Sequence, residues 1–285
     1  MVRIGAFNSL IVNKIVDFGV YLDGDSLGDI LLPKKSAPDN CQVDDQLDVF
    51  IYLDSEDRII ATTKTPYAQV GEFANLEVVA VNKVGAFLDW GLEKDLLVPF
   101  NEQKQRLEVG KRYLVFIYID RIDRRITASA KIDKFLDQVT PNYQQGQQVS
   151  LMIAGRSDLG FKAIINNTHW GVIYKDEVFE YLSVGSKKQG FIKQVRPDGK
   201  IDLTLAKPAG SQRDELSHRI LKELDKLGGY LAISDKSPPE VIYKKFKVSK
   251  RIYKQTLGGL FKQGLITIEP KGIRRTQSTP AQPKE

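Results

Sequence analysis

The sequence has one cysteine, two histidines and no long apolar run. A single cysteine excludes an internal disulfide, which is typical of a reducing compartment. So few Cys and His cannot form a zinc cluster, and no acidic calcium-binding loop is present. No stretch approaches the ~20 apolar residues that span a bilayer, and the first residues lack the basic-then-apolar order of a signal peptide. These absences predict a cytoplasmic protein without a membrane segment, metal or cofactor.

Catalytic motifs are also scarce. The segment Gly24–Gly28 fits the nucleophile pattern G-x-S-x-G around Ser26. A nucleophile elbow needs a strand, a tight turn and a helix, whereas this segment lies between two strand-like runs. The histidines, His169 and His218, fall in other predicted domains. We therefore expect that the protein is not an enzyme.

Charge is unevenly distributed along the 285 residues, although the net charge is only +6. Lys and Arg minus Asp and Glu gives −5 for residues 1–68, 0 for 69–140, +3 for 141–210 and +8 for 211–275. A basic region commonly faces a polyanion, and nucleic acids are common polyanions of the cytoplasm. The gradient predicts that the C-terminal half contacts nucleic acid.

A repeat with an offset of 66 residues is the strongest internal signal. The residues that recur at this offset are Gly19, Pro33, Phe50, Tyr52, Asp54 and Arg58, which return as Gly85, Pro99, Phe116, Tyr118, Asp120 and Arg124. A weaker third copy follows about 75 residues later, in the runs SDLGFKAII, WGVIY and GFIKQVRPDGKIDLTLAK. Each copy has short Val, Ile, Phe and Tyr-rich runs between polar turns, the pattern of a five-stranded OB barrel. We predict three tandem OB barrels over residues 1–68, 69–140 and 141–210.

Helical periodicity replaces the strand pattern after residue 213. Leu216, Ile220 and Leu224 form an apolar stripe that ends near two glycines. Ser237 and Ser249 are predicted N-caps of two further helices, and a short hairpin follows. The third helix is expected to bury Ile252, Tyr253, Leu257, Leu260 and Phe261. This order predicts a winged-helix domain over 211–275 and a disordered tail over 276–285, so the fold class is mainly β with a C-terminal α+β domain.

The first repeat resembles the ribosomal-protein-S-one type of OB fold. Its run DFGVYL, followed by GDILLP, is similar to the "FGAFV" and "EGLLH" strands of that module. The resemblance implies an RNA-binding face formed by two aromatic side chains and neighbouring basic residues. Transferred to this sequence, the face consists of Phe18 and Tyr21 in the first unit, Phe87 in the second, and Phe161, Lys162 and Tyr174 in the third.

Three such barrels followed by the helical domain resemble the conserved virulence factor B family of bacterial RNA-binding regulators. The resemblance covers essentially the whole chain. It depends on the domain order together with the VSK, IYK and LGGLFKQGLI segments of the last domain. It implies a role in post-transcriptional gene regulation.

Basic side chains complete the predicted interface. Those of the third barrel are Lys162, Lys187, Lys188, Lys193 and Arg196. In the winged helix, the outer side of the third helix has three cations and one glutamine: Lys250, Arg251, Lys254 and Gln255. The wing adds Lys271, Arg274 and Arg275. Winged helices contact a duplex through that helix and the wing, in the manner of helix-turn-helix proteins. Simple solvation of a lysine-rich surface is the alternative explanation.

Together these features predict a protein that binds single-stranded RNA through the third barrel and the winged helix. Two alternatives remain open. One is a protein–protein scaffold on ribosomal, RNA-processing or RNA-degradation machinery, and the other is a DNA-binding transcription regulator that uses the winged helix. Salt-dependent binding to oligonucleotides separates RNA binding from the scaffold, and preference for single-stranded RNA over duplex DNA separates it from the transcription regulator.

Overall fold

The computed structural model describes residues 1–178, 180–207 and 209–276. They form two compact units, one ending at Leu205 and one beginning at Ala206. The first consists of three five-stranded barrels and the second is a winged helix, so the predicted fold class is confirmed. The tail predicted to be disordered lies outside the described residues, except for Thr276. Among the described helices, none combines the length and apolarity that a membrane span requires.

The first barrel closes on itself with strand order β1-β2-β3-β5-β4. Its strands are β1 (Phe7–Val16), β2 (Gly19–Asp23), β3 (Asp29–Pro33), β4 (Gln46–Leu53) and β5 (Ile59–Thr62). Neighbouring strands are antiparallel except β3 and β5, which pair in parallel through Leu31 and Ile60. This parallel contact closes the barrel.

The second and third barrels repeat this order. The strands of the second are β6 (Phe73–Val81), β7 (Gly85–Asp89), β8 (Leu96–Pro99), β9 (Arg112–Ile119) and β10 (Ile126–Ser129). Here β8 and β10 lie side by side, but no ladder joins them among the described strands. The third barrel is closed and consists of β11 (Gln148–Ser157), β12 (Gly160–Ile165), β13 (His169–Tyr174), β14 (Lys187–Val195) and β15 (Ile201–Thr204).

The close approach of the third strand explains why each repeat has a glycine at the start of its second strand. Gly19 pairs with Pro33, and Gly85 pairs with Pro99 in the same register. A Cβ atom at Gly19 or at Gly85 would lie 2.3 Å from a carbonyl oxygen of the next strand, which is far inside van der Waals contact. Gly160 of the third barrel faces Tyr174 with the same restriction. The predicted equivalence of the first two repeats is confirmed by this register.

The first two barrels share one apolar core. Phe50 of β4 is fully buried, and its ring lies 5.8 Å from that of Trp90, nearly perpendicular to it. Tyr52 and Ala68 belong to the same cluster as the interior of the second barrel. The two barrels therefore cannot move independently without exposing this core. A smaller cluster, which includes Phe73 and Met152, joins the second barrel to the third.

The winged helix has the predicted element order. Its elements are α1 (Ala209–Lys226), β16 (Tyr230–Leu231), α2 (Pro239–Phe246), α3 (Lys250–Lys262), β17 (Ile266–Glu269) and β18 (Gly272–Arg275). The three strands form a sheet of order β16-β18-β17. Ile242, Tyr253 and Leu257 are fully buried between the helices.

The helix starts and one core position differ in part from the prediction. Ser249 caps α3 as expected, since its hydroxyl accepts a hydrogen bond from the Ile252 amide at 3.4 Å. Ser237 does not cap α2, because the helix begins at Pro239 and the Ser237 hydroxyl accepts a bond from the Ser234 amide instead. Phe261 was expected in the core but is 55% exposed, because it lies at the edge of the buried stripe of α3.

Candidate nucleic-acid interface

The repeated glycine fixes which side chains of each second strand face solvent. Because successive strand residues point to opposite faces, the second residue after the glycine points outward, and the first and third point into the barrel. The outward position is Tyr21 in the first barrel, Phe87 in the second and Lys162 in the third. Phe161 is the first residue after its glycine and is only 6% exposed. The prediction that Phe161 forms part of the binding face is therefore wrong, because its ring is in the barrel core.

The aromatic pair of the first barrel is available to a ligand. Phe18 is 58% exposed, and its ring lies 6.3 Å from that of Tyr21, edge to face. Exposed aromatic rings of this kind stack on unpaired bases with little sequence preference. The pair thus forms a stacking platform on an acidic barrel.

The second barrel presents Phe87 inside a groove of about 460 Å³ at the junction with the first barrel. Val84, Leu97 and Trp90 add apolar surface. The groove also contains Lys94 and Arg125, which are both paired with Asp57, together with Glu93 and Asp95. The first barrel lines the opposite wall through the turn that joins β4 to β5. An aromatic ring beside cations is a combination found in single-strand binding sites, and in this groove Asp57 occupies both cations.

In the third barrel, Lys162 occupies the outward position next to an aromatic ring. Its Nζ lies 4.2 Å from the ring centroid of Trp170, within cation–π distance. Lys187, on β14, has no carboxylate within ion-pair distance among the described residues, and it lines the groove between the second and third barrels. Among the described residues, neither of these two lysines lies within ion-pair distance of a carboxylate.

The other predicted cations of the third barrel are already paired. Lys188 bonds to Glu180 at 2.5 Å and Lys193 bonds to Glu177. Arg196 donates to both oxygens of Asp202, which is only 4% exposed on its side chain. These contacts lower the availability of all three cations for a phosphate.

Asp202 is the centre of a buried polar cluster that joins three strands. Its carboxylate accepts hydrogen bonds from Arg196, from Gln194 at 2.6 Å and from the Tyr174 hydroxyl at 3.2 Å. The Tyr174 hydroxyl and Arg196, both predicted to contact RNA, are therefore held by a structural carboxylate. Burial acts to raise the pKa of Asp202, but the hydrogen bonds from Arg196, Gln194 and Tyr174 outweigh it and hold the pKa below its ordinary value of 3.8.

We expect the stability of the third barrel to depend on pH through Asp202. A carboxyl group whose pKa is depressed in the folded state stabilises the fold above its unfolded pKa, and this contribution is lost as the pH falls through the folded pKa. Asp202→Asn should therefore destabilise the protein at pH 6, and this deficit should be smaller at pH 3, below the ordinary carboxyl pKa of 3.8. Urea unfolding of both proteins at the two pH values measures it. A deficit that does not change with pH would contradict the assignment.

The third helix of the winged helix exposes a basic face. Arg251, Lys254 and Gln255 are exposed on the side opposite the buried Tyr253 and Leu257, and the sequence of α3 contains no acidic residue. Among the described residues, no carboxylate lies within ion-pair distance of Lys250, Arg251 or Lys254. The structure thus brings together the predicted cations of this helix as one unneutralised surface.

The wing differs from this face because its arginines have internal partners. Arg274 donates to Glu269 at 2.8 Å and lies over the ring of Tyr230 at 5.0 Å. The Nε of Arg275 lies 3.5 Å from Asp225. Lys271 is exposed at the tip, with no ion pair in the part of the wing that the structure describes.

Two exposed aromatic residues of the winged helix were missed by sequence reasoning. Tyr243 is 59% exposed on α2, and the Nζ of Lys247 lies 5.4 Å from its ring centroid. Its position next to the buried Ile242, out of phase with the apolar stripe, is the signal that could have identified it. Phe261 is the second, and the periodicity of α3 placed it in the core instead.

Ser26 does not lie in a nucleophile elbow. It lies in a short 3-10 turn, Asp25–Leu27, between β2 and β3, so the strand–turn–helix of a nucleophile elbow is absent there. The ring of His169 is held by the Val139 carbonyl at 2.9 Å and by the Tyr143 hydroxyl at 3.0 Å in the third barrel. The interpretation of this motif as a turn between strands is confirmed. Within the described ranges, no three His, Cys, Asp or Glu side chains are arranged to hold a metal ion.

Comparison with known families agrees with this architecture. The S1 domain family matches residues 4–64 and 70–131, and the CvfB-like winged helix domain family matches residues 218–274. The chain belongs to the conserved virulence factor B family. Both matching families are nucleic-acid-binding domains and not enzymatic ones, so the matched parts of the chain are nucleic-acid-binding domains.

Relatives of the family span nearly the whole chain. An uncharacterised protein of Bacillus subtilis, YitL, is 29% identical over 279 residues, which cover 94% of this chain and 92% of that protein. Conserved virulence factor B of Staphylococcus saprophyticus is 25% identical and covers 84% of this chain and 82% of its own. A crystal structure of a multidomain protein with nucleic acid binding domains from Streptococcus pneumoniae is 22% identical, covers 96% of this chain and 98% of its own, and has a TM-score of 0.40.

Proposed function

We propose that this protein binds single-stranded RNA in the cytoplasm through its winged helix and third barrel, and that it regulates gene expression after transcription. The observation that carries the proposal is the exposed face of α3. That helix has Lys250, Arg251, Lys254 and Lys262 but no acidic residue. Cations without a carboxylate partner among the described residues are suited to the phosphates of a polynucleotide, because each contact releases condensed counterions.

The barrels favour single strands over duplexes. OB barrels bind oligonucleotides across their second and third strands. The exposed ring of Phe18 and the half-buried ring of Phe87 are suited to stack on bases that a duplex would hide. Lys162 beside Trp170 offers the same combination of charge and ring on the basic third barrel. RNA is preferred as the ligand because its unpaired loops and ends expose bases in the cell.

A binding titration of the full chain tests this proposal. Single-stranded RNA, duplex RNA and duplex DNA of equal length are compared over a series of salt concentrations. We expect the tightest binding to single-stranded RNA, with an affinity that falls linearly with salt on logarithmic axes. Tighter binding to duplex DNA would favour a transcription regulator, and an absence of salt-dependent binding to all three would favour a protein scaffold.

Replacing the aromatic pair of the first barrel should have a modest effect. In the double variant Phe18→Ala and Tyr21→Ala, we expect a loss of affinity of about five-fold. Stacking of one base contributes about 1–3 kcal/mol, and the repulsion of phosphate by the acidic first barrel favours the lower end of this range. The salt dependence should stay unchanged, since neither ring contacts phosphate. The titration above measures both quantities. A loss greater than that caused by removing the α3 cations would place binding mainly on the first barrel.

A further inference from the structure

The turn between β4 and β5 of the first barrel reaches the aromatic face of the second. Asp57 of this turn bonds to Lys94 at 2.9 Å and also to Arg125. The ammonium of Lys94 donates a further hydrogen bond to the Asp54 carbonyl at 2.6 Å. Both cations line the groove that contains Phe87. One carboxylate therefore occupies both cations of that groove, whose lining also includes Glu93 and Asp95.

The position of Asp57 is set by the fold and not by a flexible contact. The shared core around Phe50 and Trp90 fixes the two barrels relative to each other. The hydrogen bond from Lys94 lowers the pKa of Asp57 most, burial opposes this effect, and the hydrogen bond from Arg125 lowers the pKa further. The carboxylate is consequently charged at neutral pH. It has one negative charge and two acceptor oxygens between two cations, which is how a phosphate would bind there.

We propose that the groove is a nucleotide-binding site of the second barrel that the first barrel holds closed, with Asp57 in the place of a phosphate between Lys94 and Arg125. Single-stranded RNA must displace this carboxylate before a base reaches Phe87. The proposal rests on the proposed RNA binding and extends it to a barrel whose net charge is zero. It also gives the acidic first barrel a role, as an internal competitor of RNA.

The ion pairs of Asp57 with Lys94 and Arg125 can be broken by a competing anion because they lie at the protein surface. Asp57 and Lys94 are each about one third exposed and Arg125 is half exposed, and ion pairs with this exposure contribute little to stability. A polynucleotide brings several phosphates to the protein at once, so one of them can replace a single carboxylate. The apolar part of the groove, formed by Val84, Phe87 and Leu97, is then free to receive the base.

Asp57→Asn in the full chain tests the proposal, with Glu56→Gln as the matched control. Asn tolerates the left-handed backbone of position 57, where φ is 62°. Both variants remove one negative charge from the same turn, but Glu56 pairs with Arg58 of its own barrel and not with the second barrel. Each protein is titrated with a single-stranded RNA over a salt series.

Asp57→Asn should release two cations for phosphate. Each contact to a single strand changes the logarithmic salt slope by about 0.7, so the slope should steepen by about 1.4 and the affinity at 0.1 M salt should rise by roughly 25-fold. Glu56→Gln should change the slope by less than half of this amount. Arg125→Ala should have little effect in the wild-type protein but should lower affinity by about five-fold in the Asp57→Asn background.

Three results would overturn the proposal. Equal effects of Asp57→Asn and Glu56→Gln would show only a general charge effect, and an equal loss from Arg125→Ala in both backgrounds would show that Asp57 does not compete with RNA. In either case the wild-type protein still binds RNA and the proposed function stands. Failure of every variant to bind single-stranded RNA at low salt would contradict both proposals together.

Discussion

Replacing Lys250, Arg251 and Lys254 together with alanine is expected to weaken binding of single-stranded RNA by roughly 100-fold at 0.1 M salt. The three cations lie on α3 without a carboxylate partner among the described residues. If each contacts one phosphate, the logarithmic salt slope flattens by about 2, because one contact to a single strand contributes about 0.7. Alanine is a strong helix former, so α3 should remain folded. The salt-series titration measures the slope, and circular dichroism verifies the fold.

A second triple variant separates phosphate contact from overall charge. Lys226, Lys245 and Arg274 belong to the same unit, and each pairs with a glutamate of that unit. Their replacement by alanine removes the same number of charges, but each of these cations already has a glutamate partner, with Lys226 and Lys245 sharing Glu223. We expect a decrease in slope of less than half that of the α3 variant. Equal losses in the two variants would mean that long-range attraction, and not contact at α3, determines the affinity.

Phe50→Ala is expected to cause the largest loss of stability, about 3–5 kcal/mol in the free energy of unfolding. Its side chain is fully buried and contacts the rings of Phe7 and Trp90 across the junction of the first two barrels. Because both barrels lose the same cluster, we expect them to unfold in one transition at a lower urea concentration. Tryptophan fluorescence follows this transition, since Trp90 lies in the shared core.

Phe18→Ala is the matched control for this variant. It removes the same ring from the same barrel, but Phe18 is 58% exposed, so the change should stay within about 0.5 kcal/mol. A comparable loss of stability in both variants would contradict the shared core. Two separate transitions in Phe50→Ala would contradict the coupling of the barrels.

The fold could be predicted in detail because its signals are local. The 66-residue offset placed Gly19 and Gly85 at equivalent positions, and the strand register agrees. The change from a period of two to a period of 3.6 identified the winged helix. The prediction that Ser237 is the N-cap of α2 was wrong. Both Ser237 and Pro238 stand at positions where a helix could begin, and the Ser237 hydroxyl instead accepts a hydrogen bond from the Ser234 amide.

The candidate site could be predicted only in part. The sequence identified the cations of α3. Its helical periodicity separates these basic residues from the apolar residues that pack into the core. It could not show that Arg196 and Arg274 are bound to Asp202 and Glu269, and it placed the buried Phe161 on the surface. A one-residue shift along a strand moves a side chain from one face to the other, so a neighbouring aromatic residue is easily assigned to the wrong face.

The sequence by itself determined the three repeats, the winged helix, the acid-to-base gradient and the family, because each depends on residue order and spacing along the chain. Only the tertiary structure decided which charges are free. Asp57 and Arg125 are 68 positions apart, yet their side chains bond, and Phe50 lies in a core that belongs to the next barrel. Ion pairing and burial depend on distance in space, and no spacing along the chain defines that distance between separate barrels.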